Sequence, residues 1–223
     1  MLIALSAKKR HGKDTTADYI CDKYGFHKYV LASPFKQLMC NHFGFTQSEV
    51  NGINFDRESI LNFSGVFVAE KFKKILISMG YSAYVYTIDW SPIENKNDWS
   101  IRTLMQTIGT DIGCNQVDKL IWMHPMVDAF LKYENLIVSD ARQIAEINLL
   151  RKLGAKVIHI NNPWIHNNDT HITEAGLPIL DDDVVIENSF NQINSDTQYI
   201  NDCLRGLHSK IDEVIDGFIK KDT

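Results

Sequence analysis

Short apolar runs recur along this chain, and between them lie longer stretches in which apolar residues return at helical spacing. The runs are residues 2–6 (LIALS), 27–32 (HKYVLA), 135–140 (NLIVSD), 156–160 (KVIHI) and 183–187 (DVVIE). Four of the five are continuous rather than alternating, as strands covered on both faces must be. KDTTADYICDKY follows the first run and SPFKQLMCNHFG the second, both with helical patterning. ARQIAEINLLRKLG ends at Gly154 just ahead of the fourth run, where a glycine stops a helix well. In the tail, Ile200, Leu204, Leu207, Ile211, Val214, Ile215 and Phe218 share one helical face. This alternation predicts an α/β fold built on a five-stranded parallel sheet.

Residues 45–133 interrupt the alternation with long helical patterns such as VFVAEKFKKILISMG and the stretch from Trp99 to Tyr133. They read as a helical insertion between strands 2 and 3, forming one wall of a substrate cleft. The absence of repeats, low-complexity tracts and linkers makes this an elaboration of a single domain spanning 1–223.

Composition narrows the class. With 223 residues, 44% hydrophobic and 23% charged, the chain can bury one good core plus an insertion. A net charge of -5 argues against bulk nucleic-acid binding. Cys21, Cys40, Cys114 and Cys203 form no C-x-x-C pair, which suits a reducing compartment. No run is long enough for a signal peptide or a membrane span, so a cytosolic protein without membrane contact is expected. His159, His166 and His171 match no zinc spacing.

The chemistry begins at SAKKRHGKDTT, residues 6–16. It departs from the phosphate-loop pattern G-x-x-x-x-G-K-[ST] by Ala7 in place of the first glycine and Asp14 in place of the hydroxyl. Yet it leaves a predicted strand and opens a predicted helix, as such a loop must. Its amides and the positive helix end suit phosphate, and Lys13 would reach the β- and γ-phosphates. The nucleotide-contacting set is then His11, Gly12, Lys13, Asp14, Thr15 and Thr16. Ala7 costs little if its φ is negative. Asp14 makes sense beside phosphate only with a cation, so Asp14, Thr15 and Asp140 are the candidate Mg²⁺ residues. The competing reading is a solvated basic turn with Asp14 as a first-turn acid.

Other stretches bear on a phosphate acceptor. LASPFK ends the second strand at the edge where α/β sheets meet ligands, and carries Lys36. Arg102 and Gln106 are spaced i, i+4, so they share a helix face. Arg offers a two-donor fork for phosphate, although it also suits a surface ion pair. Asp140 and Arg142 close the third strand, where an acid can serve a magnesium shell or cap the next helix. Trp122 suits either the core or a base.

Taken together, the stretches LSAKKRHGKDTTADYI, GINFDRES, WSIRTLMQTIGTDIGCNQVDKLIW, SDARQ and NDTHITEAGLP resemble the deoxynucleoside monophosphate kinases of the T-even and related bacteriophages. The resemblance covers nearly the whole chain. It implies a P-loop NMP-kinase-like three-layer fold and transfer of the γ-phosphoryl of ATP, with Mg²⁺, to a deoxynucleoside monophosphate. It also implies a role in supplying DNA precursors, a location in the host cytoplasm, and a homodimer. By matching motif, Lys13, Asp14, Arg102, Asp140 and Arg142 are the implied catalytic set. Lys36, Arg57, Arg102, Gln106, Gly109, Trp122 and Asp140 are the implied acceptor-binding set. The alternatives are another small P-loop kinase, such as a dephospho-coenzyme A kinase, or a P-loop ATPase or regulatory nucleotide binder.

Overall fold

Strands β1 (Leu2–Ala7), β2 (His27–Tyr29), β3 (Leu136–Val138), β4 (Lys156–Asn161) and β5 (Val184–Glu187) form one all-parallel sheet in the order β2-β3-β1-β4-β5. The computed structural model describes residues 1–222 apart from Asn54, 166–176 and 192–195, with Asp222 as backbone only. β1 lies at the centre, and Ile3, Ala4 and Leu5 have no exposed surface, which explains the continuous apolar run. β3 and β4 flank it, so the chain departs to opposite sides of β1. The switch point of the sheet therefore falls where β1 ends, the usual ligand edge of an open α/β sheet.

The second strand is shorter than its apolar run. Val30 to Ala32 leave the sheet because the Leu31 amide donates to Asp140 Oδ1 at 2.6 Å instead of extending the ladder. Helix α2 (Ala32–Phe43) then starts at once.

Two compact units make up the chain, residues 1–31 with 125–223, and residues 32–124. The first contains the sheet, α1 (Lys13–Tyr24), α8 (Ile144–Lys152), α9 (Thr197–Asp222) and all but the first residue of α7 (His124–Lys132). Its core joins Ile3, Leu5, Ile20, Ile137 and Ile158 to Leu207, Ile211 and Ile215 of α9. The Asp212 carboxylate accepts from the hydroxyls of Tyr19 and Tyr24 and pairs with Lys23, fastening α9 along α1.

The second unit has its own core, centred on Phe72, Trp99, Ile101 and Leu104. It carries α2, α3 (Gln47–Asn51), α4 (Gly65–Ser78), α5 (Ser91–Glu94) and α6 (Ile101–Gln106). Gly65 permits the closest approach within it. A methyl group there would lie 2.1 Å from the Ile93 carbonyl oxygen and 2.5 Å from those of Glu94 and Lys96.

The helical pattern expected to run on from α6 changes character after Gln106. Thr107–Val117 is wound as a π-helix, and a turn separates it from α7. Gly109 and Gly113 lie within it. The Gly109 carbonyl accepts from the Trp122 indole N–H at 2.8 Å and from Cys114 Sγ at 3.2 Å. A side chain at Gly113 would meet Ile108 O at 2.8 Å. Long π segments are rare and concentrate where function shapes a helix. Among the described residues no helix is long and apolar enough to cross a membrane.

Candidate functional site

The expected site residues fall into two groups, one in each unit. In the first unit, β1 ends at Ala7, which is paired with Ile160 and has an ordinary negative φ. Its lack of a glycine therefore costs no backbone strain. Positive φ occurs instead at Arg10 (69°) and Gly12 (98°), which wind the chain into the turn that opens α1. Gly12 is the N-cap and offers no side-chain cap, and the first α1 bond runs from Thr16 N to Gly12 O at 3.0 Å. The amides of Lys13, Asp14 and Thr15 thus have no partner within the helix, and with the positive end of the dipole they suit an anion.

Lys13 does not project into solvent. Its side chain is 11% exposed, with Nζ 2.8 Å from Asp14 Oδ1. Asp14 keeps 75% of its side-chain surface, and Lys28 Nζ stands 4.0 Å away. Partial burial pushes the Asp14 carboxyl up, but the Lys13 hydrogen bond and the charges of Lys13, Lys28 and Arg142 outweigh it and hold the pKa below the usual value. Lys8, Lys9 and Arg10 are exposed on the same loop. The result is a cationic turn with one accessible carboxylate and the exposed Thr15 hydroxyl beside it.

Two loop residues expected to meet nucleotide turn inward. Thr16 has no exposed surface, and its hydroxyl donates to Gly12 O at 3.0 Å. His11 is 4% exposed, and its Nδ1 accepts from the Asn162 amide at 2.9 Å. Burial and then Lys8 lower the His11 pKa, with the backbone carbonyls of Ile165 and Ile160 opposing. A neutral ring is what an Nδ1 acceptor requires. Both side chains shape the loop from behind.

At the end of β3, Asp140 binds the Leu31 amide, and Arg142 is exposed. The buried Glu146 carboxylate accepts from the amides of Arg142 (2.9 Å) and Gln143 (3.0 Å) and so fixes the turn that carries Arg142. Burial raises the Glu146 pKa against those two bonds. The signal for Glu146 was available as a capping-box spacing from Gln143. Asn162 and Asn188, just past β4 and β5, and Lys28, within β2, had none, being ordinary polar residues there.

In the second unit, Ser100 and Thr103 cap α6 reciprocally. Arg102 is on the first turn, and half-buried Gln106 follows one turn later. The Arg102 amide donates to Arg57 O at 3.0 Å, which brings the two arginine residues together. Arg102 Nε lies 3.3 Å from Glu58 Oε1. The bare positive φ of Gly52 (71°) makes room for Arg57, whose Nε would be 3.0 Å from a methyl group there. Lys36 Nζ donates to Asn51 Oδ1 at 2.9 Å. Trp122 is 7% exposed, tilted against Phe35 at 4.8 Å between ring centroids, with its N–H on Gly109. Of its two sequence readings, this placement fits the core. His166, His171 and most of NDTHITEAGLP lie outside the described residues.

A family profile described as deoxynucleotide monophosphate kinase matches residues 1–196. The chain belongs to that family. It is 38% identical to the deoxynucleotide monophosphate kinase of Enterobacteria phage T4, over 84% of this chain and 92% of that protein. It is 35% identical to the deoxynucleotide monophosphate kinase of Escherichia phage RB69, over 96% and 99%. Family membership agrees with the all-parallel sheet and with the loop that leaves its central strand.

Proposed function

We propose that this chain transfers the γ-phosphoryl group of ATP to the 5′-phosphate of a deoxynucleoside monophosphate, giving ADP and the diphosphate. The carrying observation is the loop from β1 to α1, with positive φ at Arg10 and Gly12, uncapped first-turn amides and Lys13. On this reading the loop amides and Lys13 take the donor phosphates. Arg102, with Arg57, Lys36 and Gln106, serves the acceptor, and Asp140 and Arg142 serve the phosphates in transfer. Trp122 and Gly109 support the acceptor residues through the π-helix instead of touching a base.

The donor atoms suit Mg²⁺. Asp14 is an accessible carboxylate in the first turn of α1, Thr15 adds a hydroxyl, and Asp140 adds a second acid. Magnesium favours few protein oxygens together with phosphate. When bound there it would neutralise charge on the donor phosphates.

A phosphate oxygen of the acceptor attacks the γ-phosphorus. The new P–O bond forms as the bond to the β,γ-bridging oxygen breaks, and ADP departs. An ionised phosphate needs no general base, so the protein contributes position and charge. The reading supports a place in DNA-precursor supply during phage replication.

The test is ADP release measured with each deoxy- and ribonucleoside monophosphate and with dephospho-coenzyme A. Release that depends on a deoxynucleoside monophosphate is expected. Release with dephospho-coenzyme A alone, or independent of any acceptor, would overturn the proposal.

A further inference from the structure

The phosphate loop is gripped from behind by the residues that follow the last two strands. Asn162 comes directly after β4 and is 1% exposed, while Asn188 comes directly after β5 and is 6% exposed. Asn162 donates its amide to His11 Nδ1, and Asn188 Nδ2 donates to the His11 carbonyl at 3.0 Å. Asn188 is itself fixed at three points. Its backbone N–H donates to Asn161 O at 2.7 Å, its Oδ1 accepts from Phe190 N at 3.1 Å, and its Nδ2 holds the loop. Turning the side-chain amide over would break the last two bonds together. The fit is also steric, since a methyl group on Gly12 would lie 2.4 Å from Asn188 Nδ2.

We infer that Asn188 is a positioning residue for the donor nucleotide. The His11–Gly12 peptide plane links Asn188 to the loop amides. In a trans peptide the carbonyl and the N–H point in opposite directions. Asn188 fixes the His11 carbonyl, so it also aims the Gly12 N–H away from β5. Among the described residues no acceptor takes that N–H. Asn188 thereby presets the loop amide that comes before Lys13. The same contact holds Gly12 at its positive φ without help from any ligand. Preset donors lose little order on binding, which is how a distant side chain can strengthen a phosphate cradle.

This inference rests on the reading of the loop as the donor site, so Lys13→Ala is measured beside it. The full chain is titrated calorimetrically with ATP and, separately, with a deoxynucleoside monophosphate, and its thermal unfolding is recorded. Asn188→Ala is expected to weaken ATP binding about tenfold, the effect of one lost buried hydrogen bond, with acceptor affinity within about threefold. Asn188→Asp keeps the shape but sets a carboxylate oxygen against the His11 carbonyl, so it should bind ATP no better than Asn188→Ala. Equal loss of both ligands, or ATP affinity unchanged in a folded variant, would overturn the inference. So would failure of both variants to fold, which would make Asn188 a core residue. If Lys13→Ala loses ATP while Asn188→Ala does not, only the role of Asn188 falls. If Lys13→Ala also binds ATP normally, the reading of the loop falls with it.

Discussion

The Lys13 ammonium lies 2.8 Å from the carboxylate of its neighbour Asp14, and only Lys13 of the two is largely covered. The pair holds the lysine along the first turn of α1 before any nucleotide arrives. Removing the amine takes a preset cation from the developing charge, so Lys13→Ala should lower kcat about 10²–10³-fold. Its covered stem also packs, and loss of ~1 kcal/mol there would lower Tm by about 2–4 °C. Asp14→Ala should raise the magnesium concentration for half-maximal rate more than it raises KM for the deoxynucleotide. Overlaid magnesium titrations would make Asp14 a helix-start residue alone.

Arg102 Nε lies 3.3 Å from Glu58 Oε1, with the Arg102 side chain 18% exposed and that of Glu58 61%. Solvent reaches the pair on the Glu58 side and screens it, so it contributes about 1 kcal/mol. Glu58→Gln should therefore leave kcat/KM within a few-fold. Arg102→Ala should reduce kcat/KM for the deoxynucleotide on the order of 10²-fold, with ATP affinity changed by less than about threefold. Arg102→Lys keeps the charge but not the planar fork, and should also be impaired. Separate calorimetric titrations distinguish this from a general defect, since equal loss of both ligands would remove Arg102 from the acceptor site.

His11 gives the fold a dependence on mildly acidic pH. Its pKa in the folded chain is below 6.5, through burial first and Lys8 second. Between that lowered value and 6.5, the unfolded chain binds a proton that the folded chain does not. Stability therefore rises with pH through this window and is lost as pH falls below 6.5. His11→Asn can keep an acceptor for the Asn162 amide but does not titrate. Urea midpoints from pH 7.5 down to 5.5 should fall more steeply for the wild type than for the variant. The pKa of His42 is also lowered, by burial and nearby lysines, but it is common to both proteins. Parallel midpoint curves would exclude His11 as the source.

Gly65 is the least replaceable glycine of the second unit. Three carbonyl oxygens occupy the space that a side chain would need. Gly65→Ala must push α4 away from the Ile93–Lys96 backbone, a strain of about 1–3 kcal/mol. A Tm unchanged from the wild type would show that the contact yields without cost.

The inner strands β1, β3 and β4 were legible because they are buried on both faces, which writes continuous apolar runs directly into the chain. α1 was equally plain, with Lys13 opening it and Gly25 ending it at φ 71°. What could not be read has a common cause: it depends on partners far away in sequence. The truncation of β2 follows from Asp140, 109 residues beyond Leu31. Within the π-helix, the Gly109 carbonyl takes its indole donor from Trp122, thirteen residues on. The inward turn of His11 follows from Asn162 and Asn188. At the candidate site the spacing singled out Lys13 and Arg102 as candidates, whereas it gave no sign of Lys28 or of the buried Asn162 and Asn188.

The central position of β1 has a cost during synthesis. Leu2 pairs with Leu136, and Ile3 with both Ile137 and Lys156. At about 5–20 residues per second, a ribosome needs on the order of ten seconds to deliver the first of those partners. From its emergence from the exit tunnel until then, this apolar strand has neither neighbour made. The nascent chain is thus exposed to aggregation and to chaperone capture at β1, and a pause before residue 136 would lengthen that exposure.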